Sequence, residues 1–257
     1  MLDPNNNDIM YLAAGRQLFR NNNISQIPFD NNFDSISLNW DVFSDSLLGT
    51  DVKISALGIS KNPPNTVYVG ANKKRVYKIE NAQQGDPFWQ EITGWFPTLF
   101  PSNGNVNCIA VDPDDADNVF VVFSNYKTYS IYHSVDGGEN WIKVAGNLEG
   151  NTAGTVEGPS CRWLEILCLS DKKVYVIGTS TGLYYTEDID SINTTWTPFA
   201  QNSVGNNVVE MLRYRESDGL LVIATHGNGV YRMKLTHSRD FTTVSYTHLT
   251  LPTICSV

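Results

Sequence analysis

The chain is short of positive charge. Its 257 residues include 18 Lys and Arg against 27 Asp and Glu, a formal net charge of −9. Such a surface repels phosphate backbones and no basic run offsets it, so no nucleic acid partner is expected. Long apolar runs are missing too. None approaches the ~18 residues that a membrane-spanning helix needs, and no membrane span is expected. Cysteine is sparse: Cys108, Cys161, Cys168 and Cys255, with no C-x-x-C pair. That removes the usual zinc and thioredoxin-like spacings. Buried, unpaired thiols are the expectation, with a Cys161–Cys168 bridge left open. No metal and no cofactor is expected. The start M-L-D-P-N-N-N-D-I lacks the charged and apolar regions of a signal peptide. No apolar period of 3.6 residues persists over a dozen positions, so no amphipathic helix is expected either.

What is present favours strands. Apolar residues make up 41% and aromatic residues 11% of the chain, enough for a substantial core. A repeat of about fifty residues runs through it. D-P-N-N-N-D-I-M-Y ending at Tyr11, S-K-N-P-P-N-T-V-Y ending at Tyr68 and D-P-D-D-A-D-N-V-F ending at Phe120 align without gaps. Trp40, Trp89, Trp141 and Trp196 follow at spacings of 49, 52 and 55 residues. Within a unit four short β-branched and aromatic runs alternate with turn residues; in the third they begin at Val106, Asn118, Tyr129 and Asn140. Four short strands per unit, repeated, predict an all-β fold, a β-propeller of four-stranded blades.

About three units are complete and two are partial. The first keeps only the end of its first strand, since Leu2-Asp3-Pro4 matches Val111-Asp112-Pro113, and the fifth shows no fourth strand. The expectation is a piece of a larger propeller protein; the rival is a five-bladed ring whose broken end blades complete each other. Residues 1–236 are assigned to the propeller. Residues 237–257 fit no blade, and S-Y-T-H-L-T-L-P-T-I-C-S-V, 245–257, reads like translated sequencing-adaptor sequence at the end of a metagenomic fragment.

H-S-V-D-G-G-E-N-W, 133–141, holds Ser134, Asp136, Gly138 and Trp141 as S-x-D-x-G-x-x-W between the third and fourth strands. It resembles the Asp-box, or bacterial neuraminidase repeat. Its local physics is that of a clasp: a carboxylate accepts N–H bonds across the turn, two glycines permit positive φ, and a tryptophan covers the hairpin. Thr186-x-Asp188 keeps it in part, with three extra residues before Trp196. V-N-C-I-A-V-D-P, G-P-S-C-R-W and A-T-H-G-N-G-V-Y-R are similar to Asp-box propellers secreted by Bacteroidetes-type bacteria, in the sortilin and xyloglucanase-like class. The resemblance implies a protein that is extracellular or on a bacterial cell surface. It also implies that ligands meet the face opposite the Asp-boxes, but fold alone does not set function.

Aligning the first strands puts Ser55, Asn107, Glu165 and Glu210 at one position on that face. Polar residues there suit a wet channel. Glu165 and Glu210 are also the weak candidates for a catalytic acid and base, which glycoside hydrolysis needs at ~5–5.5 Å or ~6.5–9.5 Å. Trp95, Phe96 and Phe100 in T-G-W-F-P-T-L-F-P are candidates to stack on sugar rings or a protein partner; packing against the next loop is the alternative. Trp163 has the same ambiguity, with core packing favoured. His226, in T-H-G-N-G, reads as a ligand contact or as a hydrogen-bonded structural histidine. Arg16, in the corresponding loop of the first unit, reads as an anion contact or a solvated cation.

G-T-S-T-G, 178–182, fits the G-x-S-x-G nucleophile elbow, which needs a helix after it; a strand follows here. D-P-D-D-A-D, 112–117, lacks the EF-hand glycine and glutamate. The sequons at Asn23 and Asn193 read as incidental. The leading function is a secreted or surface binding module for polysaccharide or protein ligands. The alternatives are a glycoside hydrolase fragment of xyloglucanase or sialidase type and a scaffold for assembly. Ligand identity, blade number, oligomeric state and the true termini lie beyond the sequence.

Overall fold

The computed structural model describes residues 1–29, 36–44, 51–93, 104–126, 128–151, 156, 158–242 and, for the backbone alone, 246–249. Short antiparallel strands dominate these residues, and no helix among them is long and apolar enough to cross a membrane.

The strands form five sheets. The first has three strands, β1 (Met10–Ala14), β2 (Gln17–Asn21) and β3 (Trp40–Val42). An isolated bridge, Leu2 to Met10, stands where a first strand would run. The second sheet is β4 (Ile54–Ile59), β5 (Val67–Ala71), β6 (Val76–Ile79) and β7 (Trp89–Glu91) in sequence order. The third is β8 (Val106–Asp112), β9 (Asp115–Phe123), β10 (Ile131–Ser134) and β11 (Ile142–Lys143). The fourth is β12 (Cys161–Cys168), β13 (Lys173–Thr179), β14 (Gly182–Thr186) and β15 (Thr197–Phe199). The fifth is β16 (Val209–Arg215), β17 (Leu220–Thr225), β18 (Val230–Lys234) and β19 (Tyr246–Leu249). Four-stranded up-and-down sheets repeated along the chain are the propeller fold that the sequence period predicts.

The fourth strand of the last sheet was not expected. Tyr246–Leu249 pairs with Val230–Met233 inside the segment that shows no blade pattern. The physical reason is the edge itself. β18 without a neighbour would present a row of unpaired N–H and C=O groups, which any extended segment within reach can satisfy.

The chain divides into two compact units, residues 1–121 with 133–141, and 122–132 with 142–257. In the first, Tyr11, Leu18, Phe43, Val67, Val69, Tyr77, Ile79 and Trp89 form one buried cluster between the first two sheets. Phe43 and Tyr77 meet Trp89 edge-on, with ring centres 6.3 and 5.7 Å away. In the second, Val174, Val176, Leu183, Val209, Leu212, Leu221, Ile223 and Met233 do the same for the last two sheets.

Close approach of successive sheets depends on glycines such as Gly70 and Gly178. A Cβ on Gly70 of β5 would come 2.3 Å from Val106 Cγ1, and one on Gly178 of β13 would come 2.6 Å from Val209 Cγ1. Each valine opens the first strand of the following sheet and fills the space where the glycine has no side chain. Gly178 therefore belongs to packing, and the segment 178–182 turns from β13 into β14 as a hairpin, with Thr179 opposite Gly182. Cys108 and Cys161 are buried and Cys168 is half-buried, all three as free thiols. Cys161 and Cys168 stand at opposite ends of β12, too far apart for a bridge. Burial pushes the Cys161 thiol up to about 12, so it stays protonated at neutral pH.

The Ser134 turn clasps itself. Ser134 Oγ donates to Asp136 Oδ1 (2.7 Å) and accepts from Gly138 N–H (2.9 Å). Asp136 also accepts from the Asn140 backbone and side chain, at 2.8 and 2.7 Å. Burial raises the Asp136 carboxyl, but the Asn140 and Ser134 bonds outweigh it and hold the group below its ordinary range. Gly137 and Gly138 take φ of 69° and 96°. Trp141 does more than cover the hairpin: its indole N–H donates to the Ile92 carbonyl, just after β7. Trp196 makes the same bond to the Val144 carbonyl, just after β11. Each tryptophan thus fastens its own unit of the repeat to the one before.

Candidate functional site

The first strands carry a shared irregularity. β4, β12 and β16 each skip one residue of their register, between Ile54 and Ala56, Cys161 and Trp163, and Val209 and Met211. The skipped residues are Ser55, Arg162 and Glu210. A bulge of this kind bends a strand and re-aims the extra side chain. Here it sits at the strand start.

This register corrects the sequence alignment. Ile54, Cys161 and Val209 open their strands, and Leu57, Leu164 and Leu212 follow three residues later, so Arg162 occupies the position assigned to Glu165. Glu165 lies three residues further along β12, about 10 Å in a strand. The error had a source: both β12 and β16 place a glutamate among apolar residues, and matching the two glutamates hid the bulge. The leucines carried the signal that could have found Arg162.

In the second unit the bulge residues meet. Arg162 Nη1 lies 2.9 and 2.7 Å from the two oxygens of Glu210. His226, in the β17–β18 turn, brings Nδ1 to 3.2 Å from Glu210 Oε1. The turn is held in place by His226 N–H donating to the Val208 carbonyl (2.8 Å) and by positive φ at Gly227 and Gly229. Side-chain exposure is 30% for Arg162, 37% for Glu210 and 78% for His226, so the cluster opens to solvent.

Glu165 has a different set of partners. Its oxygens accept from the Tyr214 backbone N–H (2.9 Å) and from the Trp163 indole (3.3 Å), with Arg213 Nη1 at 3.6 Å. The Arg213 guanidinium also stacks over the Trp163 ring, 4.9 Å from its centre. Burial raises the Glu165 carboxyl above its ordinary value, against the opposing pull of Arg213, Tyr214 and Trp163. Trp163 itself is half-buried. The two glutamates are thus separate: one, with its side chain 14% exposed, braces β12 to β16, and the other, 37% exposed, is a more open hub.

Asn107 of β8 is half-buried in the first unit, and Ser55 Oγ donates to the Val106 carbonyl there (2.6 Å). Trp95, Phe96 and Phe100 lie outside the described residues. The aspartates of 112–117 are spent on protein partners: Asp112 accepts from Asp114 N–H and Asn118, Asp115 from Asp117 N–H, and Asp117 from Lys78 of β6. Among the described residues no cluster of His, Cys, Asp and Glu could hold a metal ion.

No protein-family profile matches the chain, and no curated protein matches it in sequence. Solved structures do match in fold. A GH74 enzyme from Niastella koreensis is 14% identical, with a TM-score of 0.56 over 96% of this chain and 38% of that one. The GH74 xyloglucanase from Xanthomonas campestris is 12% identical, with a TM-score of 0.53 over 97% of this chain and 40% of that one. YCF48 from Cyanidioschyzon merolae is 13% identical, with a TM-score of 0.57 over 96% and 70%. The chain therefore spans well under half the length of the two GH74 proteins, and what it shares with all three is the β-propeller fold.

Proposed function

We propose that the chain is a glycan-binding propeller module of a secreted or cell-surface protein, using the Arg162–Glu210–His226 cluster. The observation that carries this reading is the shared carboxylate: Glu210 is held by Arg162 Nη1 on both oxygens and by His226 on one. Such a network holds the long Arg162 and Glu210 side chains against each other and so fixes donors and acceptors at an open surface, which suits the dense hydroxyls of a sugar. The Asp-box resemblance of the Ser134 turn supports a secreted origin. The closed hydrogen bonding of that turn supports a structural role for it.

Catalysis is less well supported. A glycosidase needs two carboxylates facing one substrate, whereas Glu165 is spent on Tyr214 N–H, Trp163 and Arg213. A fragment of a hydrolase remains the second reading, favoured by the xyloglucanase among proteins of like fold.

The test is titration calorimetry of the chain with xyloglucan and other neutral polysaccharides, beside an assay for new reducing ends. Binding without new reducing ends is expected. Glu210→Gln and His226→Ala should each weaken it about tenfold, equivalent to ~1.4 kcal/mol. Reducing ends that appear with the parent chain and vanish in Glu210→Gln and Glu165→Gln would replace the module with the hydrolase.

A further inference from the structure

The link between the third and fourth strands of the second sheet does not close on itself as the Ser134 turn does. In that turn Ser134 and Asp136 take up the N–H groups of Gly138 and Asn140. From Ile79 to Trp89 the corresponding link is longer, and it borders an open hollow of about 550 Å³. The link is held from outside instead. The Ala82 carbonyl accepts from Nη1 of the buried Arg20 (2.8 Å), and Ala82 N–H donates to the Asn65 carbonyl (2.9 Å). The Gln83 carbonyl accepts from Asn22 Nδ2 (3.0 Å), and Asp86 Oδ1 accepts from Ser44 N–H (3.0 Å). Four neighbours thus fix the wall of the hollow in advance, which reduces the ordering that a ligand must impose.

The lining combines one exposed aromatic ring with amides. Phe88 is 78% exposed. The side chains of Asn81, Gln84 and Gln90 lie on the same hollow and are exposed as well. Among the described residues none of these three side-chain amides has a hydrogen-bond partner. Each is both donor and acceptor. The cation of the lining, Lys78, is already committed: its Nζ lies 3.0 Å from Asp117 and 3.2 Å from Glu80.

We propose that this hollow is a second carbohydrate site, which takes a neutral sugar ring of a polysaccharide with Phe88 as its platform. A pyranose has an apolar C–H face and a rim of hydroxyls. A flat aromatic ring packs against the first, and amides bond the second. The volume lies within the ~300–1,000 Å³ of small-ligand sites. An anionic sugar would meet Glu80 and Asp86 with Lys78 already paired. A protein interface is built on an apolar core with several buried anchors, whereas Phe88 stands among amides. The carbohydrate class rests on the function proposed above; the open, braced hollow does not.

The experiment titrates the chain with neutral xyloglucan oligosaccharides, followed by calorimetry and by the side-chain amide resonances of Asn81, Gln84 and Gln90. Calorimetry should show a second binding step, and the three amides should shift with it. Phe88 is exposed, so Phe88→Ala should leave Tm nearly unchanged. It should weaken the second step at least tenfold and abolish the amide shifts. Phe88→Tyr keeps the platform and should bind as the parent does. Glu210→Gln should leave the amide shifts intact. Amides that do not shift, or a titration that Phe88→Ala leaves unaltered, overturn the hollow, while binding sensitive to Glu210→Gln leaves the module standing. Binding lost in Phe88→Ala and untouched by Glu210→Gln retains the hollow and overturns the Glu210 site. Self-association in gel filtration that Phe88→Ala abolishes, with no oligosaccharide bound, overturns the sugar assignment in favour of a protein contact.

Discussion

His133 opens the H-S-V-D-G-G-E-N-W segment, yet it acts as a core residue. It is 7% exposed and lies flat on Phe120, with ring centres 4.1 Å apart and planes 9° from parallel. One nitrogen, Nε2, is 2.6 Å from Asn118 Oδ1; the other, Nδ1, is buried without a hydrogen-bond partner. A neutral ring that donates from Nε2 fits this site; a charged ring would bury a second N–H with nowhere to go. Burial accordingly lowers the His133 pKa to about 4, despite the opposing charge of Asp112. The unfolded chain takes up this proton near pH 6.5 and the folded chain resists it until about 4. Stability from this group is therefore complete above pH 6.5 and is lost as the pH falls toward 4, by on the order of 3 kcal/mol. His133→Gln keeps a donor for Asn118 and removes the titration. Urea unfolding at pH 7 and 4.5 should show a drop in the parent that exceeds the drop in the variant by about 2–3 kcal/mol. Equal drops would mean that His133 is solvated and titrates normally.

Among the elements, the tryptophans show how much of the fold was legible. Their spacing marks the period because each closes a unit of the repeat, and the sequence alone locates them. Their hydrogen bonds were hidden, because the acceptor is a backbone carbonyl that carries no residue signature. Trp196 donates to Val144 at 3.0 Å and Trp141 to Ile92 at 3.3 Å, but Trp89 has a buried indole N–H with no partner and Phe43 against its ring. The same substitution should then cost different amounts. Trp196→Phe loses packing and strands the Val144 carbonyl, adding about 1–3 kcal/mol. Trp89→Phe removes an unpaired donor and loses packing alone. Thermal unfolding should therefore rank Trp196→Phe well below Trp89→Phe in stability, and a reversed order would show that the indole bonds contribute nothing. The candidate site was legible in the same partial way. Glu210 and His226 stand out as polar residues at strand and turn ends. Arg162 did not, because a one-residue bulge leaves no mark on composition, and only Leu57, Leu164 and Leu212 fix the frame.

For the molecule as a whole, the last sheet tests whether a segment without blade pattern contributes to stability. Tyr246–Leu249 aligns with Val230–Met233 residue by residue, so the pairing follows from backbone need and requires no apolar alternation. In an antiparallel sheet alternate amides of a strand point to opposite neighbours. About half of the β18 amides should therefore depend on β19 for protection, and the rest on β17. Removing residues 243–257 would expose the first set as an open edge, a template for pairing with another copy. Hydrogen exchange should then quicken at least tenfold at alternate residues of Val230–Lys234, with β12 and β13 unchanged. Gel filtration at rising concentration should show self-association of the shortened chain. Unchanged exchange in β18 would show that the β19 pairing adds no stability. Residues 243–257 would then contribute nothing to the fifth sheet, and the blade would be complete in three strands.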